Sequence, residues 1–539
     1  MNAQRLSSTV CRILLTLICL AILAGLGAWI RWPATKVNSF RNEDVAGITY
    51  NADLLGRAMV PMVDSLEMKA PGSFFVTWGV WSVWGRSIQA LESFGVAWAI
   101  LAAFGVFFAG RMMFGFVPGF LAAILYTLYA PYMDSMTVNY NSWMLPAYVW
   151  CTVFFIGGLK SGRLWWFVAC GISLALAALL KRQGAVLFPL FVVVIWFAPY
   201  LTMPLGWPQM RRRGAFIAYL AGVAVGFLPI VIFYLAKGNI GSLITNFFFS
   251  ESGWRYVGGE LDWSDKFERL EDGFLGFWKF MLLPAIFATL TIVSVPLERK
   301  RGLALLGLLL GGHFFCSLIG LSLGFRFYKG YYLQALPAAI WLACHPDGPL
   351  LRWFQKETWP SNWRLGLGRV GQIVLVAILV AVAGQRGLND LKYERRGRTG
   401  FNRFQKEAEM IAQFVRDNTT AKDRIWVWGR WAWPIYFHAN RLSVTRYYKV
   451  LGVITNNLTN TWRRPTEMTR FEPIGPYEKI GKQLNEGKPA FIVAALNEDY
   501  QGFEALEKLL REEYERTNEI RVTGFHIYRL KKGEEKPKE

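Results

Sequence analysis

The chain has 539 residues, of which 53% are hydrophobic, 16% are aromatic and only 18% are charged, and its formal net charge is +21. A soluble chain usually carries about a quarter of charged residues and divides its apolar residues among several domains. Here the apolar residues form long blocks, which excludes an ordinary soluble enzyme, a disordered protein and a disulfide-built secreted domain. The basic excess alone is compatible with nucleic acid, anionic lipid or cytoplasmic loops.

Eleven segments are long and apolar enough to cross a membrane, because a core about 30 Å thick takes about 20 residues of helix. The first, Val10–Ile30, is too long for a signal-peptide core and has no small-residue cleavage site before Arg31, so we predict an uncleaved span. The other ten lie at about 93–110, 117–132, 143–159, 164–180, 184–203, 214–236, 277–297, 302–322, 331–345 and 369–385.

The apolar, Trp-rich segment 73–85 decides the predicted topology. Its 13 residues reach only about 20 Å as a helix, so we predict a helix at the membrane surface, where Trp is favoured. With a cytoplasmic N-terminus, the inner loops then carry 13 Lys and Arg residues against eight in the outer loops after residue 86, as the positive-inside rule requires. The odd number of spans puts the chain after residue 386 outside the cytoplasm.

The region 387–539 alternates short apolar runs with charged helical stretches, a pattern typical of a small sheet covered by helices. The predicted helices are Lys406–Phe414, Tyr477–Leu484 and Phe503–Tyr514, and the predicted strands are Arg424–Trp428, Ala490–Ala494 and His526–Leu530. The sequence therefore predicts two domains. A mostly α-helical transmembrane domain, 1–386, contains a first outer loop at 31–85, and a soluble extracytoplasmic α/β domain follows at 387–539.

Cysteine and histidine usage gives no sign of a metal site. The six cysteines lie in or beside apolar segments without CxxC spacing, and the four histidines are scattered without an HExxH pattern. The C-terminal region also has no GxGxxG context for a nucleotide. We therefore predict neither a bound metal nor a cofactor.

Several charged and amide side chains collect on the predicted outer face. Taken singly, the pair Glu43 and Asp44 reads as a solvated helix start, and Lys69 reads as a lysine that snorkels to the interface. Charge near membrane depth is costly and usually functional, however. The other residues on this face are Lys181, Arg182, Arg326, Lys329, Asn139 and Asn141. Such bases fit the phosphate of a lipid headgroup, and a carboxylate near them fits a general base.

The order of motifs in the first outer loop resembles that of the GT-C superfamily of polytopic glycosyltransferases. A pair of acids, Glu43-Asp44, is followed by Leu-Leu-Gly, Pro-x-x-Asp and then Lys69-Ala70-Pro71-Gly72. The pattern is most similar to the branch of protein O-mannosyltransferases and the lipid A aminoarabinose transferase. Members of that branch typically have Asp-Glu and Lys-Pro-Pro, so both motifs depart from the family here, and the reversed acid pair leaves open which acid is the base.

Three later segments extend this resemblance over nearly the whole chain. The stretch 179–189 (LLKRQGAVLFP) resembles the family's basic motif before an apolar helix, and 326–337 (RFYKGYYLQALP) resembles its aromatic-rich outer motif. The stretch 424–437 (RIWVWGRWAWPIYF) resembles a strand and loop of bacterial members. Each motif is weak alone, whereas their order and sidedness together are fairly specific.

The resemblance implies a GT-C fold and transfer of a sugar from a polyprenyl-phosphate donor to a glycan, lipid or protein acceptor outside the cytoplasm. Asp44, or else Glu43, would take the proton of the attacking hydroxyl, with inversion at the anomeric carbon. The implied donor-phosphate ligands are Lys69, Lys181, Arg182, Arg326 and Lys329, and the implied sugar or acceptor contacts are Asn141, Tyr140, Tyr328 and Tyr331. The loop 237–276 is either a mobile cover of the cleft or an ordinary interface loop. The implied location is the inner membrane of a bacterium, with membrane lipids as partners and no nucleic acid.

Three alternatives remain open at this point. A transporter would place charged or Gly/Pro-broken segments near the middle of the bilayer and often shows an internal repeat, and neither is clear in the sequence. A membrane-anchored sensor leaves the acid-and-base first loop without a role. An oligosaccharyltransferase or O-antigen ligase would move a preassembled glycan, but the chain lacks the Trp-Trp-Asp motif of oligosaccharyltransferases. The sequence names neither the sugar nor the acceptor.

Overall fold

A computed structural model gives the fold of the chain. The structure describes residues 3–67, 69–200, 207–208, 211–248, 261–294, 303–346, 348, 350–351, scattered positions between 374 and 392, 402–450, 461–463, 477–496, 498 and 500–531. The predicted span 369–385 lies mostly outside the described residues, as does the part of the predicted cover loop from 249 to 260.

Eight helical segments in the described part of the chain are long and apolar enough to cross a membrane, and each coincides with a predicted span. They are Thr9–Lys36, Ile88–Phe114, Phe116–Met133, Tyr140–Ser161, Arg182–Tyr200, Arg212–Ala236, Trp263–Val293 and Leu305–Ser322. The predicted span 164–180 is an apolar helix of 17 residues, Leu164–Leu180. The chain is therefore a multi-pass membrane protein, mostly helical as predicted.

Two segments differ in detail from the sequence prediction. At 331–345 the structure has a 3-10 turn, Lys329–Gln334, and then a buried helix of only eight residues, Leu336–Ala343, which has Pro337 in its first turn and reaches about 12 Å. In the predicted cover loop, the helix Ile240–Leu243 and a π-turn, Ile244–Phe248, come first. The next helix, Trp263–Ser294, begins inside this loop, well before the predicted start at 277.

Close packing of helices depends on small residues, as is usual for membrane helices. A Cβ atom added to Gly171 would lie 2.3 Å from the carbonyl oxygen of Tyr219, and one added to Gly222 would lie 2.1 Å from that of Val168. Only glycine at both positions lets the helices Leu164–Leu180 and Arg212–Ala236 approach backbone to backbone.

The chain forms two compact units that do not follow the order of the sequence. The first, here called the helical unit, consists of Met1–Val37, Gln89–Ile232 and Phe267–Gly397. The second, here called the α/β unit, consists of Asn38–Ile88, Phe233–Lys266 and Arg398–Glu539. The first outer loop thus belongs to the same compact unit as the C-terminal region.

A four-stranded sheet, in the order β1-β2-β4-β3, is the centre of the α/β unit. The strands are β1 (Ile425–Trp428), β2 (Phe491–Ala495), β3 (Tyr514–Arg516) and β4 (Phe525–Leu530). Strands β1 and β2 are parallel, with Ile425 opposite Phe491, and the other two pairs are antiparallel. The longer helices of the C-terminal region are Asn402–Asp417, Tyr477–Gly487 and Glu504–Glu513, with a short helix at Pro434–Ala439.

This arrangement confirms the predicted helices and strands of the C-terminal region and adds the short helix Pro434–Ala439 and strand β3. The helix predicted to reach Tyr514 ends at Glu513, and Tyr514 begins strand β3 with its ring buried. Its hydroxyl donates a hydrogen bond to the carbonyl oxygen of Pro489 over 2.6 Å. A hydrophobic core that includes Trp426, Trp428 and Leu506 holds sheet and helices together.

The first outer loop contains two helices of 13 residues each, Asp44–Gly56 and Gly72–Trp84. The second confirms the predicted short helix over 73–85. The first is almost wholly buried, and its Tyr50 ring stacks on Tyr448 with centroids 4.0 Å apart. The Tyr50 hydroxyl oxygen also accepts a hydrogen bond from the backbone N–H of Ser443 over 3.1 Å. These contacts explain why the loop forms one unit with the C-terminal region.

Candidate functional site

The acidic pair lies at the N-terminus of the helix Asp44–Gly56, where the helix dipole favours negative charge. Glu43 precedes the helix, and its carbonyl oxygen accepts from the backbone N–H of Ala46 over 2.9 Å. The backbone N–H of Asp44 donates to Oδ1 of Asn42 over 2.9 Å. Glu43 is buried and Asp44 is half-buried, so the two carboxylates of the pair meet different environments.

Burial raises the pKa of the Glu43 carboxyl above its ordinary value, although Arg430 opposes this shift. The guanidinium Nε of Arg430 is 4.0 Å from Oε2 of Glu43. The backbone N–H of Arg430 donates to Oε1 of Glu498 over 2.7 Å, and burial also raises the pKa of Glu498. Arg430 therefore contacts two buried carboxyl groups, of which one belongs to the predicted catalytic pair.

Lys69 follows a turn that is fixed by carboxylates. Oδ2 of Asp64, in the Pro-x-x-Asp motif, accepts from the backbone N–H of Val60 over 2.6 Å, which gives that motif a structural role. Oε1 of Glu67 accepts from the backbone N–H of Lys69 over 3.0 Å. Glu67 is also paired with Lys449, at 2.5 Å between Oε2 and Nζ.

In the helical unit, three residues predicted from separate segments meet. The ammonium of Lys181 donates to Oδ1 of Asn141 and lies 4.2 Å from the centre of the Tyr331 ring. Asn139 orients this end of the helix Tyr140–Ser161, because its side-chain oxygen accepts from the backbone N–H groups of Asn141 and Ser142 in a capping box. A lysine, an amide and an aromatic face thus form one polar cluster.

Lys329 lies next to this cluster through Asp134 and Gly330. Its Nζ is 3.5 Å from Oδ1 of Asp134 and 4.9 Å from the centre of the Tyr132 ring. A Cβ atom added to Gly330 would be 2.9 Å from Nδ2 of Asn141 and 3.1 Å from Oδ2 of Asp134. Glycine is therefore needed where the Lys329 turn approaches the Asn141 side chain.

The remaining predicted residues of the helical unit lie on, or next to, the segments that carry Lys181, Asn141 and Lys329. Arg182 begins the 3-10 turn Arg182–Leu187 and is half-buried, and Arg326 is buried at 3% exposure. A hydrogen bond joins the turns Arg182–Leu187 and Lys329–Gln334, because Nε2 of Gln334 donates to the carbonyl oxygen of Gln183 over 2.9 Å. Tyr140 is buried at the start of its helix, and the ring of Tyr328 is 6.1 Å from that of Tyr331.

The structure groups the predicted site residues by unit. Glu43, Asp44 and Lys69 belong to the α/β unit. The other predicted residues belong to the helical unit, namely Lys181, Arg182, Arg326, Lys329, Asn141, Tyr140, Tyr328 and Tyr331. Among the described residues, no group of three or more His, Cys, Asp and Glu side chains is arranged to hold a metal ion.

Sequence reasoning missed several charged residues of these clusters, among them Asp134, Arg430 and Lys449. Asp134 has a left-handed backbone (φ 58°) and lies in the outer loop that was noted for its asparagines. Arg430 follows strand β1 directly after Gly429, inside a motif that was noted only for its resemblance. Lys449 carried no local signal, because its partner Glu67 is 382 residues away in sequence.

Comparison with known proteins agrees with this fold. Residues 68–234 match the family model described as dolichyl-phosphate-mannose-protein mannosyltransferase. This segment contains Lys69, Asn141, Lys181 and Arg182 but not the acidic pair. A search of curated proteins finds no match.

Several solved structures share the fold at low sequence identity. ArnT from Cupriavidus metallidurans, in the apo state, is 15% identical with a TM-score of 0.56, and the match covers 97% of this chain and 98% of that one. A second ArnT structure, bound to undecaprenyl phosphate, matches with a TM-score of 0.55 and 15% identity over 96% of this chain and 97% of that one.

Two larger proteins match as well. The oligosaccharyltransferase of Archaeoglobus fulgidus, tethered with an acceptor peptide, has a TM-score of 0.58 and 13% identity over 96% of this chain and 74% of that one. The arabinofuranosyltransferase AftD from Mycobacteria has a TM-score of 0.50 and 14% identity over 95% of this chain and 40% of that one. The family-model match over residues 68–234 and the shared fold confirm the predicted resemblance, and the chain has the fold of these membrane glycosyltransferases.

Proposed function

We propose that the chain is a glycosyltransferase that moves a sugar from a polyprenyl-phosphate carrier to a glycan, lipid or protein acceptor outside the cytoplasm. The observation that carries the proposal is the cluster of Lys181, Asn141 and Tyr331, with Lys329 beside it. Lysines and an aromatic face at the ends of apolar helices suit a phosphate that bears a lipid chain. The ArnT structure bound to undecaprenyl phosphate supports this class of donor.

The proposed reaction is a direct displacement at the anomeric carbon. The acceptor hydroxyl oxygen forms a bond to this carbon while the bond to the phosphate oxygen breaks, so the configuration inverts. A carboxylate of the acidic pair takes the hydroxyl proton, and the phosphate leaves with the bonding electrons. Lys69, Lys181, Arg182, Arg326 and Lys329 stabilise the charge of the leaving phosphate as it develops.

Within the acidic pair, we assign the general base to Asp44. Its carboxylate is half-buried at a helix N-terminus, whereas Glu43 is buried and faces Arg430. In this assignment Glu43 shapes the field around the base. Exchange of the two roles is the alternative that the experiment below distinguishes.

The test compares single variants in membranes supplied with radiolabelled undecaprenyl-phosphate sugars, with transfer to extracytoplasmic polymer and lipid as the readout. Asp44→Asn should lower transfer by about 10²–10⁴-fold, the usual contribution of a general base. Glu43→Gln should have a smaller effect, and a larger effect of Glu43→Gln would reverse the two roles. Glu486→Gln, on an exposed side chain of the same unit, is the control. If the three single variants Asp44→Asn, Glu43→Gln and Lys69→Ala all keep full activity, the first loop is not the active site.

Transfer of a preassembled glycan is the second candidate, since the archaeal oligosaccharyltransferase shares the fold with a TM-score of 0.58. Lipid analysis of cells that lack the gene distinguishes the two. Accumulation of a monosaccharide carrier supports the first proposal, and accumulation of an oligosaccharide carrier supports the second. An unchanged glycome with altered solute uptake would favour a transporter.

We further propose that the N-terminus is cytoplasmic and that the C-terminal region lies outside the cytoplasm of a bacterial inner membrane. The count of basic residues in the loops supports this orientation. A reporter enzyme that works only outside the cytoplasm, fused at Gly387, should be active. A reporter that is active only in the cytoplasm would overturn the orientation.

A further inference from the structure

A buried charged network in the α/β unit has no part in the proposed reaction so far. The side chains of Glu67 and Lys449 are 0% and 5% exposed, and Nζ of Lys449 lies 2.6 Å and 2.5 Å from the two carboxylate oxygens of Glu67. The hydroxyl of Tyr448 donates to Oε2 of the same carboxylate. Two consecutive residues of the C-terminal region thus hold one carboxylate of the first loop.

The first loop contributes further polar groups to this network. Nδ2 of Asn51 donates to the Tyr448 hydroxyl oxygen over 3.2 Å, and the Ser65 hydroxyl donates to Oδ1 of Asn51 over 2.6 Å. A Cβ atom added to Gly47 would lie 3.0 Å from the Tyr448 hydroxyl oxygen and 3.2 Å from Oε2 of Glu67. The network is therefore closely packed as well as hydrogen-bonded.

One bond connects the network to the predicted donor site. Oε1 of Glu67, which accepts from Lys449, also accepts from the backbone N–H of Lys69. The chain then continues through Pro71 into the helix Gly72–Trp84, whose first turn is bonded by the Ser73 hydroxyl to the carbonyl oxygen of Ala70 over 3.2 Å. The backbone of Lys69 is thus held from the carboxylate on one side and from the helix on the other.

A buried charged network of this kind adds little to the stability of a fold. Taking both charges out of water offsets much of their attraction, and well-packed apolar residues of similar size often stabilise a fold as well or better. An ion pair fixes position more narrowly than apolar contacts do, because it allows few geometries. The desolvation cost of Glu67 and Lys449 has a functional reason if the Glu67 carboxylate must hold the backbone of Lys69 in one position.

We propose that Lys449 and Tyr448 of the C-terminal region are positioning residues, which act through the Glu67 carboxylate to hold Lys69 for the donor phosphate. This inference rests on the proposed function, since it takes the phosphate role of Lys69 from there. It gives the C-terminal region a part in donor binding. That part requires no contact between Lys449 and the substrate.

The experiment is a double-mutant cycle on the intact purified protein, with binding of undecaprenyl phosphate as the readout. Lys449→Met should weaken binding about 10-fold or more when Lys69 is present, because small displacements of a binding group cost up to about 100-fold. In a Lys69→Met background, Lys449→Met should have little further effect, since the group that it positions is already absent. Lys482→Met, at a 76% exposed lysine of the same unit, is the matched control and should leave binding unchanged.

Two further variants cover the case in which Lys449→Met folds poorly. Tyr448→Phe keeps the ring that stacks on Tyr50 and removes the hydroxyl that donates to Glu67 and accepts from Asn51. Because Nδ2 of Asn51 keeps its bond to the carbonyl oxygen of Gly47, the variant should lower the Tm only slightly while it weakens binding by a few-fold. The pair Glu67→Gln and Lys449→Met removes both charges but leaves an amide oxygen for the Lys69 N–H, and it should recover part of the lost affinity.

The outcomes separate this inference from the proposed function. If Lys69→Met itself leaves undecaprenyl phosphate binding unchanged, the phosphate role of Lys69 is wrong and the inference fails with it. If Lys69→Met weakens binding, but Lys449→Met weakens it equally in both backgrounds or only lowers the Tm, the network is merely structural. The proposed function then stands while the inference is overturned.

Discussion

In the α/β unit Glu67 of the first loop is buried and paired with Lys449, whereas in the helical unit the lysines of the predicted phosphate site remain partly exposed. The side chains of Glu67 and Lys449 are 0% and 5% exposed, but those of Lys329 and Asp134 are 26% and 43% exposed. A buried charge that is fully paired helps to fix the position of its neighbours and does not bind a ligand, because a ligand cannot replace its partners. The partly exposed lysines of the helical unit, each against an aromatic ring, are the groups for which we propose contact with the phosphate.

The strongest way to test this contrast is Lys181→Ala. If this lysine stabilises the leaving phosphate, the variant should lose about 10²–10³-fold in kcat, as the loss of one charge-stabilising donor usually does. Its Tm should change little, since a half-exposed lysine contributes little to stability. Steady-state transfer with an undecaprenyl-phosphate sugar and thermal unfolding of the same sample measure the two effects.

The matched control for this variant is Lys160→Ala. Lys160 lies at the other end of the helix that begins next to Asn141, and it is exposed. Its replacement should leave both rate and Tm unchanged. Equal losses for Lys160→Ala and Lys181→Ala would mean that the helix, rather than the cluster at its start, determines activity.

A smaller effect is expected on the pH dependence, from Arg430→Met. Burial raises the pKa of Glu43 and Arg430 lowers it, so removal of the guanidinium should raise this pKa further. If Glu43 must be ionised, the acidic limb of kcat/KM moves to higher pH, and a shift of one pH unit lowers the rate on that limb about tenfold. Methionine keeps the backbone N–H that donates to Glu498.

The pH profile itself contains the control. In Glu43→Gln the acidic limb that belongs to this carboxyl should disappear, and a further change of Arg430 should not move what remains. An acidic limb that does not move in Arg430→Met and is still present in Glu43→Gln would belong to a group other than Glu43. Asp44, the assigned base in the same unit, would then be the first group to test for that titration.

Local patterns in the sequence were sufficient for much of the fold. Short apolar runs between charged helical stretches located β1, β2 and β4 within about two residues, and the length of 73–85 identified a helix too short to span. The prediction at 331–345 was less accurate, because hydropathy registers apolar content and not the break of the helix at Gly330 and Pro337.

Only part of the candidate site could be predicted from the sequence. Lys181 and Asn141 were selected because charged and amide groups beside apolar helices are unusual, and such a signal is local. The pairs of Glu67 with Lys449 and of Glu43 with Arg430 join positions more than 380 residues apart. A single sequence contains no pattern that links such positions, so only the folded chain reveals them.

The smallest expected effect concerns the aromatic side of the helical-unit cluster. Lys181 lies 4.2 Å from the centre of the Tyr331 ring, a cation–π contact worth about 0.5–1 kcal/mol at a partly exposed site. Tyr331→Leu should therefore raise the KM for the donor about 2- to 5-fold, while Tyr331→Phe, which keeps the ring, should match the wild type. If the phenylalanine variant loses as much as the leucine variant, the hydroxyl rather than the ring face is what matters. Tyr331 would then contact the sugar or the phosphate directly instead of orienting Lys181.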